Sequence, residues 1–453
     1  MKKRLIIIFL FCCVAFTTQA QPLFGDGARV CFVGNSITHN GEFHHNIMQY
    51  FVTRHPAWRI SFFNTGIAGD GATHILKRLE YDVLINKPTH AVLMVGMNDV
   101  GRGLYRPYSV TNSDTLKLRE AALNRYTTLM DSLVQQLLKR NIRVILQTPT
   151  IYDQTADLPA YNNFGVNDAL GQCAEFVQAT ARKYGLIVVD YRGRMLAVNG
   201  LMQRKNRKAT IVGPDRVHPG STGHFLMADC FIKKVDGTPK PVEIVVAGNL
   251  SQTRKRSKNC SFSRVKFDKN GVEFLCREAA LPFVLRQEQA SGDSLTGFAE
   301  RVNRDLLRVI CPTGRYRLTI DSVEIGNFSQ QDLAAGIRLS RYHQTPQCLQ
   351  SEKVNRLLAA LWDIEAGVRG KRYVEYWQLR NFAAINDTAA TRLHVAKMLG
   401  PNPDSSWMKK QLAFFLKYQQ TENAALRGME ELRRDIFRAA QPVEHLFSIK
   451  KTD

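Results

Sequence analysis

Between residues 28 and 232 short apolar runs alternate with longer helical patterns, and this alternation narrows the possible folds more than any other feature of the chain. Arg29 to Val33, Ile60 to Asn64, Ala91 to Val95, Ile142 to Thr148 and Leu186 to Asp190 read as five strands. Between the third and the fourth, Leu123, Tyr126, Met130, Leu133 and Leu137 recur at the spacing of one helix face. Strands separated by helices pair in parallel, because the chain must cross back over the sheet before starting the next strand. The expectation is a parallel sheet flanked by helices on both faces, a three-layer α/β/α domain.

The pattern changes after Pro239-Lys240-Pro241. Val242 to Ala247, Ser263 to Phe267 and Val272 to Cys276 look like strands, with Asp268-Lys269-Asn270-Gly271 as a hairpin turn between the last two. Arg315 to Ile320 and Ser322 to Ile325 suggest another hairpin. Beyond Thr345 the periodicity is helical: Leu357, Leu358, Leu361 and Trp362 share one face, and Leu426, Met429, Leu432 and Ile436 form a stripe opposite charged residues. The 453 residues exceed one compact domain. They divide by pattern into 21–238, a β-rich unit over 239–344 and a helical region over 345–453.

Residues 1–20 read as a signal peptide. Lys2, Lys3 and Arg4 precede an apolar run from Leu5 to Ala15 that is too short to span a bilayer, and Thr18-Gln19-Ala20 supplies small residues for cleavage. Cys12 and Cys13 lack the small residues that a lipoprotein site prefers before it. The mature chain is therefore expected to start at Gln21 in the periplasm, at the cell surface or outside the cell, with no transmembrane segment. Seven cysteines remain, an odd number without a C-x-x-C pair, which argues against a disulfide framework or a zinc ribbon. The net charge of +22 falls by three, to +19, when the basic leader residues go. A basic exported protein suits an acidic polysaccharide or an anionic surface better than nucleic acid, no compact Lys/Arg block or nucleic-acid module is visible, and a basic surface committed to no partner explains the charge as well.

In an open parallel sheet the loops at the carboxyl ends of the strands converge on one crevice. Gly34-Asn35-Ser36-Ile37-Thr38 follows the first strand, Gly66-Ile67-Ala68-Gly69-Asp70 the second and Gly96-Met97-Asn98-Asp99 the third. Asp215-Arg216-Val217-His218-Pro219 follows the fifth, just before a helix opening near Ser221. Acyl transfer needs these residue types. A serine hydroxyl is a weak nucleophile until a base takes its proton, and histidine titrates near working pH. A carboxylate must hold the imidazole in one tautomer, and donors must meet the oxyanion of the tetrahedral intermediate. Ser36, His218 and Asp215 fill the first three roles. The N–H groups of Ser36 and Gly69 and the amide of Asn98 fill the last.

The four segments resemble, in order and rough spacing, the blocks that name the SGNH/GDSL hydrolases. The resemblance covers about residues 28–232. It implies a flavodoxin-like sheet and serine esterase activity without a cofactor or metal, on a small-molecule or glycan ester. One departure is Asn35, where the family has Asp; Asn keeps the size and the hydrogen bonding. The similarity runs toward secreted carbohydrate acetylesterases, which makes an O-acetyl sugar the expected substrate. Lipase, thioesterase and pectin methyl-esterase chemistry use the same residues. A non-catalytic glycan-binding protein of this fold is the alternative from another class. His39, His44 and His45 match no common metal-ligand spacing and are expected at a pocket rim or helix surface. His224 is expected at the surface. Tyr373, Tyr376 and Trp377 suit sugar stacking but, at helical spacing, fit a core better.

Overall fold

The computed structural model describes residues 22–106, 113–237, 241–248, 253–401, 404 and 406–452, so residues 1–20, read above as a signal peptide, and the Pro239-Lys240 junction lie outside the described residues. Strands β1 (Arg29–Gly34), β2 (Ser61–Asn64), β3 (His90–Met94), β4 (Arg143–Gln147) and β5 (Ile187–Val189) form one parallel sheet in the order β2-β1-β3-β4-β5. This is the flavodoxin-like order. Gly34 pairs with Met94 at the carboxyl edge, so the loops after β1 and β3 leave from the same level.

Two helical layers cover the sheet. The chain runs through α1 (Ser36–His39), α2 (Phe43–Arg54), α3 (Ala72–Arg78), α4 (Ser113–Leu138), α5 (Val166–Tyr184), α6 (Tyr191–Lys205) and α7 (Ser221–Val235). Helices α3, α4 and α5 lie on one face, where Ile75, Tyr126, Met130, Leu133, Leu137 and Leu170 pack onto Cys31, Val33 and Leu93. Helices α2, α6 and α7 lie on the other, over Val30, Phe32 and Val92. Helix starts and stops follow local chemistry: Asp190 caps α6 by accepting the Gly193 N–H, and α5 ends on Gly185 at φ +66°.

The second half begins as a two-sheet sandwich. Strands β6 (Val242–Gly248), β7 (Thr253–Lys258), β8 (Cys260–Asp268) and β9 (Gly271–Glu278) lead to α8 (Ala290–Thr296) and α9 (Phe298–Val302). Strands β10 (Asp305–Ile310), β11 (Arg315–Ile320) and β12 (Val323–Ser329), helix α10 (Gln330–Ala335) and strand β13 (Ile337–Arg338) follow. Helices α11 (Pro346–Tyr373), α12 (Thr388–Leu399), α13 (Trp407–Tyr418) and α14 (Glu422–Ala439) precede a last strand, β14 (Glu444–Lys451). One sheet has the order β13-β10-β6-β7 and the other β12-β11-β14-β9-β8; Val242, Ile244 and Leu307 of the first face Phe274, Leu318 and Phe447 of the second. The edge strand β7, Thr253-Arg254-Lys255-Arg256-Ser257-Lys258, is exposed along its whole length. Its charges oppose edge-to-edge pairing with another chain, and part of the basic excess resides there.

Two expectations change. The region 345–453 does not stay helical: β14 returns to the sandwich and pairs antiparallel with both β9 and β11. Its Leu446, Ser448 and Lys450 alternate with the inward Phe447 and Ile449, a period too short to stand out after a long helix. The β-rich stretch also contains a segment, Leu281 to Val302, whose Leu281, Phe283, Phe298 and Val302 belong to the core of the parallel-sheet domain rather than to the sandwich. Cys31 is buried, as expected, and the cysteines from Cys31 to Cys348 are free thiols. Among the described residues no helix is long and apolar enough to cross a membrane.

Candidate active site

Strand β1 ends at Gly34, and the Asn35 side chain accepts the Ile37 N–H at 3.0 Å. The residue that departs from the family pattern therefore caps α1 and leaves Ser36 as its first helical residue. The loop after β2 packs against this turn: Ile67 N–H donates to Gly34 O at 3.1 Å, and a Cβ on Gly66 would stand 2.4 Å from the His39 nitrogen. Gly69 sits at φ +86°, a conformation that L side chains rarely adopt. Neither the Ser36 nor the Gly69 N–H has an acceptor among the described residues. Asn98 donates one amide hydrogen to Asp70 O at 2.8 Å, which leaves its second hydrogen unused. Asp99 locks these loops together by accepting the Gly96 and Ala72 N–H groups at 2.8 and 2.7 Å.

The fourth segment faces Ser36. Asp215 Oδ1 accepts the N–H groups of Val217 and His218, each at 3.0 Å, and its Oδ2 lies 2.5 Å from His218 Nδ1. His218 Nε2 lies 2.7 Å from Ser36 Oγ. The chain Asp215–His218–Ser36 is thus complete. Burial raises the Asp215 pKa, but the hydrogen bonds from the His218 ring and from the His218 and Val217 backbones outweigh it and hold the carboxyl well below the usual range. Between Asp215 and His218 the backbone passes through φ +67° at Arg216. That conformation is costly for a side chain with a Cβ, and it is held by Arg216 donating to the carbonyls of Asp153, Ala156, Leu158 and Ala160 at 2.9 to 3.0 Å.

Sequence reasoning missed the groups that reach the site from α11 and the turn that follows it. Glu365 accepts the Asn64 N–H at 3.0 Å. Arg369 donates to Gly66 O at 3.1 Å and to Asp82 at 2.7 Å. Trp377 Nε1 donates to Asp70 Oδ1 at 3.1 Å, and its ring lies 3.1 Å from where a Cβ on Gly69 would be. The loop that carries Gly69 is therefore held at its start, middle and end by residues some 300 positions away. Beneath it Arg78 pairs with Asp70 and Asp82. Burial alone would raise the Asp82 pKa, but Arg369 and Arg78 hold it down to about 2. Tyr373, by contrast, is buried with Ile67 and Ala68 in a small apolar cluster. No periodicity in 345–453 distinguishes a helix that packs on itself from one that braces a distant loop.

The histidines expected at the rim or surface lie deeper. His39, His44 and His224 are buried, and burial lowers the pKa of each, and of His45, to about 3. The nitrogens of His44 and His45 and a carboxylate oxygen of Glu365 lie within 4.8 Å of one another, so among the described residues these three form a group that could hold a metal ion. Asn98, Arg102, Tyr161, Asp215 and His218 line an open cleft of about 590 Å³. A larger hollow of about 900 Å³ beside β5, lined by Arg182, Arg194, Asp229 and Lys233, contains none of these residues.

Residues 32–226 match the GDSL-like lipase/acylhydrolase family. They form an SGNH/GDSL domain, and the chain is an ester-cleaving hydrolase. An acetylxylan esterase of Geobacillus stearothermophilus is 24% identical over 226 residues, which cover 47% of this chain and 95% of that protein. A crystal structure of an acetylxylan esterase from the same organism is 23% identical over 47% of this chain and 95% of that one, with a TM-score of 0.37. The solved structure of a gut microbial diltiazem-metabolizing enzyme is 28% identical and covers 94% of this chain and 98% of its own, with a TM-score of 0.82. That likeness extends through the sandwich and the C-terminal helices.

Proposed function

We propose that this protein is an exported serine esterase that removes acyl groups, O-acetyl foremost, from a carbohydrate. The observation that carries the mechanism is the continuous chain from Asp215 through His218 to Ser36, with contacts of 2.5 and 2.7 Å. Ser36 Oγ attacks the ester carbonyl carbon while His218 Nε2 takes its proton. The carbonyl oxygen becomes an oxyanion facing the N–H groups of Ser36 and Gly69 and the free amide hydrogen of Asn98. The ester C–O bond then breaks, and the leaving alcohol takes the proton from Nε2. Water attacks the acyl-enzyme, again losing its proton to His218, and the acid departs as Ser36 Oγ recovers a proton. Asp215 stays ionised throughout and holds the imidazole with Nδ1 protonated.

The sugar ester rests on the similarity to an acetylxylan esterase, and export rests on the N-terminal pattern of residues 1–20. A second reading has its own observation. The relative that shares the whole architecture metabolizes diltiazem, so small non-sugar esters belong in the same test. Acetate and methanol release should be followed across acetylated and methyl-esterified glycans and small aryl acetates. Ser36→Ala should lower aryl acetate turnover by about 10³-fold or more with the fold intact, as in other triad knockouts. A folded Ser36→Ala variant with near wild-type turnover removes the mechanism. Acetate release from aryl acetates but from no glycan removes the sugar substrate alone.

A further inference from the structure

The cleft beside His218 carries a cation that the chemistry above does not use. Arg102 begins a short 3-10 turn, Arg102–Tyr105, just after the Asn98-Asp99 loop. Its guanidinium is half-buried in the cleft wall, and among the described residues it forms no ion pair. Its one hydrogen bond is a long one, 3.4 Å to Asn98 Oδ1. Burial disfavours its charge, the Asp215 carboxylate offsets this only from beyond ion-pair distance, and the planar fork is built to take two oxygens of one anion. Arg106 lines the same cleft, exposed, one turn further on.

Across the cleft Tyr161 leaves its ring 80% exposed. Its backbone is fixed nonetheless: Tyr152 Oη donates to Tyr161 O at 3.2 Å and accepts the Asn163 N–H at 2.8 Å, and Tyr152 itself is buried. A ring that projects from a fixed backbone into a polar cleft is a face for an apolar sugar surface to stack on. The side of the ester that meets this cleft follows from the mechanism. His218 protonates the leaving oxygen, so the alcohol part lies over His218, and His218 lines the cleft. The anion that Arg102 receives therefore belongs to the sugar and not to the acyl group.

We propose that Arg102 and Tyr161 form a subsite for a sugar residue bearing a carboxylate, such as a uronic acid, whose neighbouring O-acyl group is cleaved at Ser36. This rests on the serine esterase reading, and its test is arranged so that the two fail separately. The substrates are a methyl uronoside and its neutral methyl hexoside counterpart, acetylated at the same hydroxyl. Wild-type enzyme should favour the acid by about tenfold or more in kcat/KM, mainly through KM, as expected for a charge-assisted pair. The preference should shrink with added salt. In Arg102→Gln the ratio should fall toward one, and Arg102→Lys should restore part of it, because a point charge keeps the attraction but not the fork. A wild-type ratio of one overturns the subsite. So does a loss in Arg102→Gln that is equal on both substrates, which would make Arg102 a support for Asn98 or Asp215. If wild-type enzyme hydrolyses neither substrate, the esterase reading is what has failed. Calorimetry with Ser36→Ala then still decides the subsite, since an unacetylated oligouronide should bind, a neutral oligosaccharide of equal length should not, and equal binding of both refutes it.

Discussion

The two faces of the parallel sheet are closed in different ways. On the face of α3, α4 and α5, every core residue lies between Cys31 and Val217, so that layer is finished within the hydrolase domain. On the face of α2 and α7, the core continues through Leu281, Phe283 and Phe298 to Leu358, Leu361, Met429 and Ile436. Eleven of the twelve residues of α2 are buried, which is possible only for a helix covered on both sides. The covering segment is also hydrogen-bonded: Leu281 N–H donates to Thr53 O at 2.9 Å, Gln49 donates to Val284 O at 2.8 Å, and Gln289 reaches Asn46 and Gln49. The apolar core of one face takes no residue from the second half of the chain, which meets that face only at its edge, where Arg369 pairs with Asp82. The other is unfinished without it, and the same second half braces the Gly69 loop. An appended region with no catalytic group of its own can therefore be required for both stability and rate.

The comparison is tested most severely by cutting the chain. Removing residues 238–453 exposes the outer side of α2 and α7, where a Cβ on Gly292 would already stand 2.5 Å from Phe225. The expected product is insoluble or lacks a cooperative thermal transition. A soluble fragment with wild-type aryl acetate activity would show that both faces are self-sufficient. A smaller effect tests the chemistry of the hydrolase half alone: Asn98→Ala should lower kcat by about 10²-fold or more with less change in KM. A change confined to KM would make Asn98 a binding residue instead.

Trp377 tests the contribution of the second half to rate. Trp377→Ala should lower kcat by about tenfold through loosening of the Gly69 loop, and Trp377→Phe, which keeps the ring but loses the bond to Asp70, should fall between. KM should move little in either variant; a KM effect alone would make the ring a wall of the substrate site. Acid should act on the shared, two-sided face, where His39, His44, His45 and His224 stay neutral down to about pH 3 against 6.5 in the unfolded chain. Below pH 6.5 the unfolded chain takes up protons that the folded chain refuses, so stability present above that pH is lost progressively toward pH 3. Each such histidine costs about 1.4 kcal/mol at pH 5.5. The melting temperature should therefore drop between pH 7 and 5.5, and His224→Gln should reduce the slope. A flat profile would mean that these rings carry protons in the fold.

Much of the site was legible before any coordinates. Ser36, Gly69, Asn98, Asp215 and His218 follow strands or precede a helix, and the parallel topology delivers such positions to one edge. Their residue types and order did the rest; that Asn35 caps α1 was shown by the structure. The strands of the sheet were readable because each carries a short apolar run, buried in all but the edge strand β5. The later strands were harder. β7 carries four basic residues, β13 has two residues, and β14 follows a long helix, so local pattern gave no reason to return it to a sheet begun at Cys260.

What the sequence by itself determined is a parallel α/β domain and the convergence of Ser36, Asp215 and His218 at one edge of its sheet, set by local periodicity and by a topology that needs no side-chain detail. Only the tertiary structure decided which surfaces are shared. His224 reads as a helix surface and is buried, because its ring stacks on Phe43 of α2. Trp377 reads as a core aromatic and does pack on the small cluster around Tyr373, but it also lies beside Gly69 and bonds Asp70, because the direction of a helix is set by the packing of its whole apolar face and not by the residues at its end. Long-range contacts of this kind leave no periodic trace in the chain, since each depends on how two separately folded patterns meet.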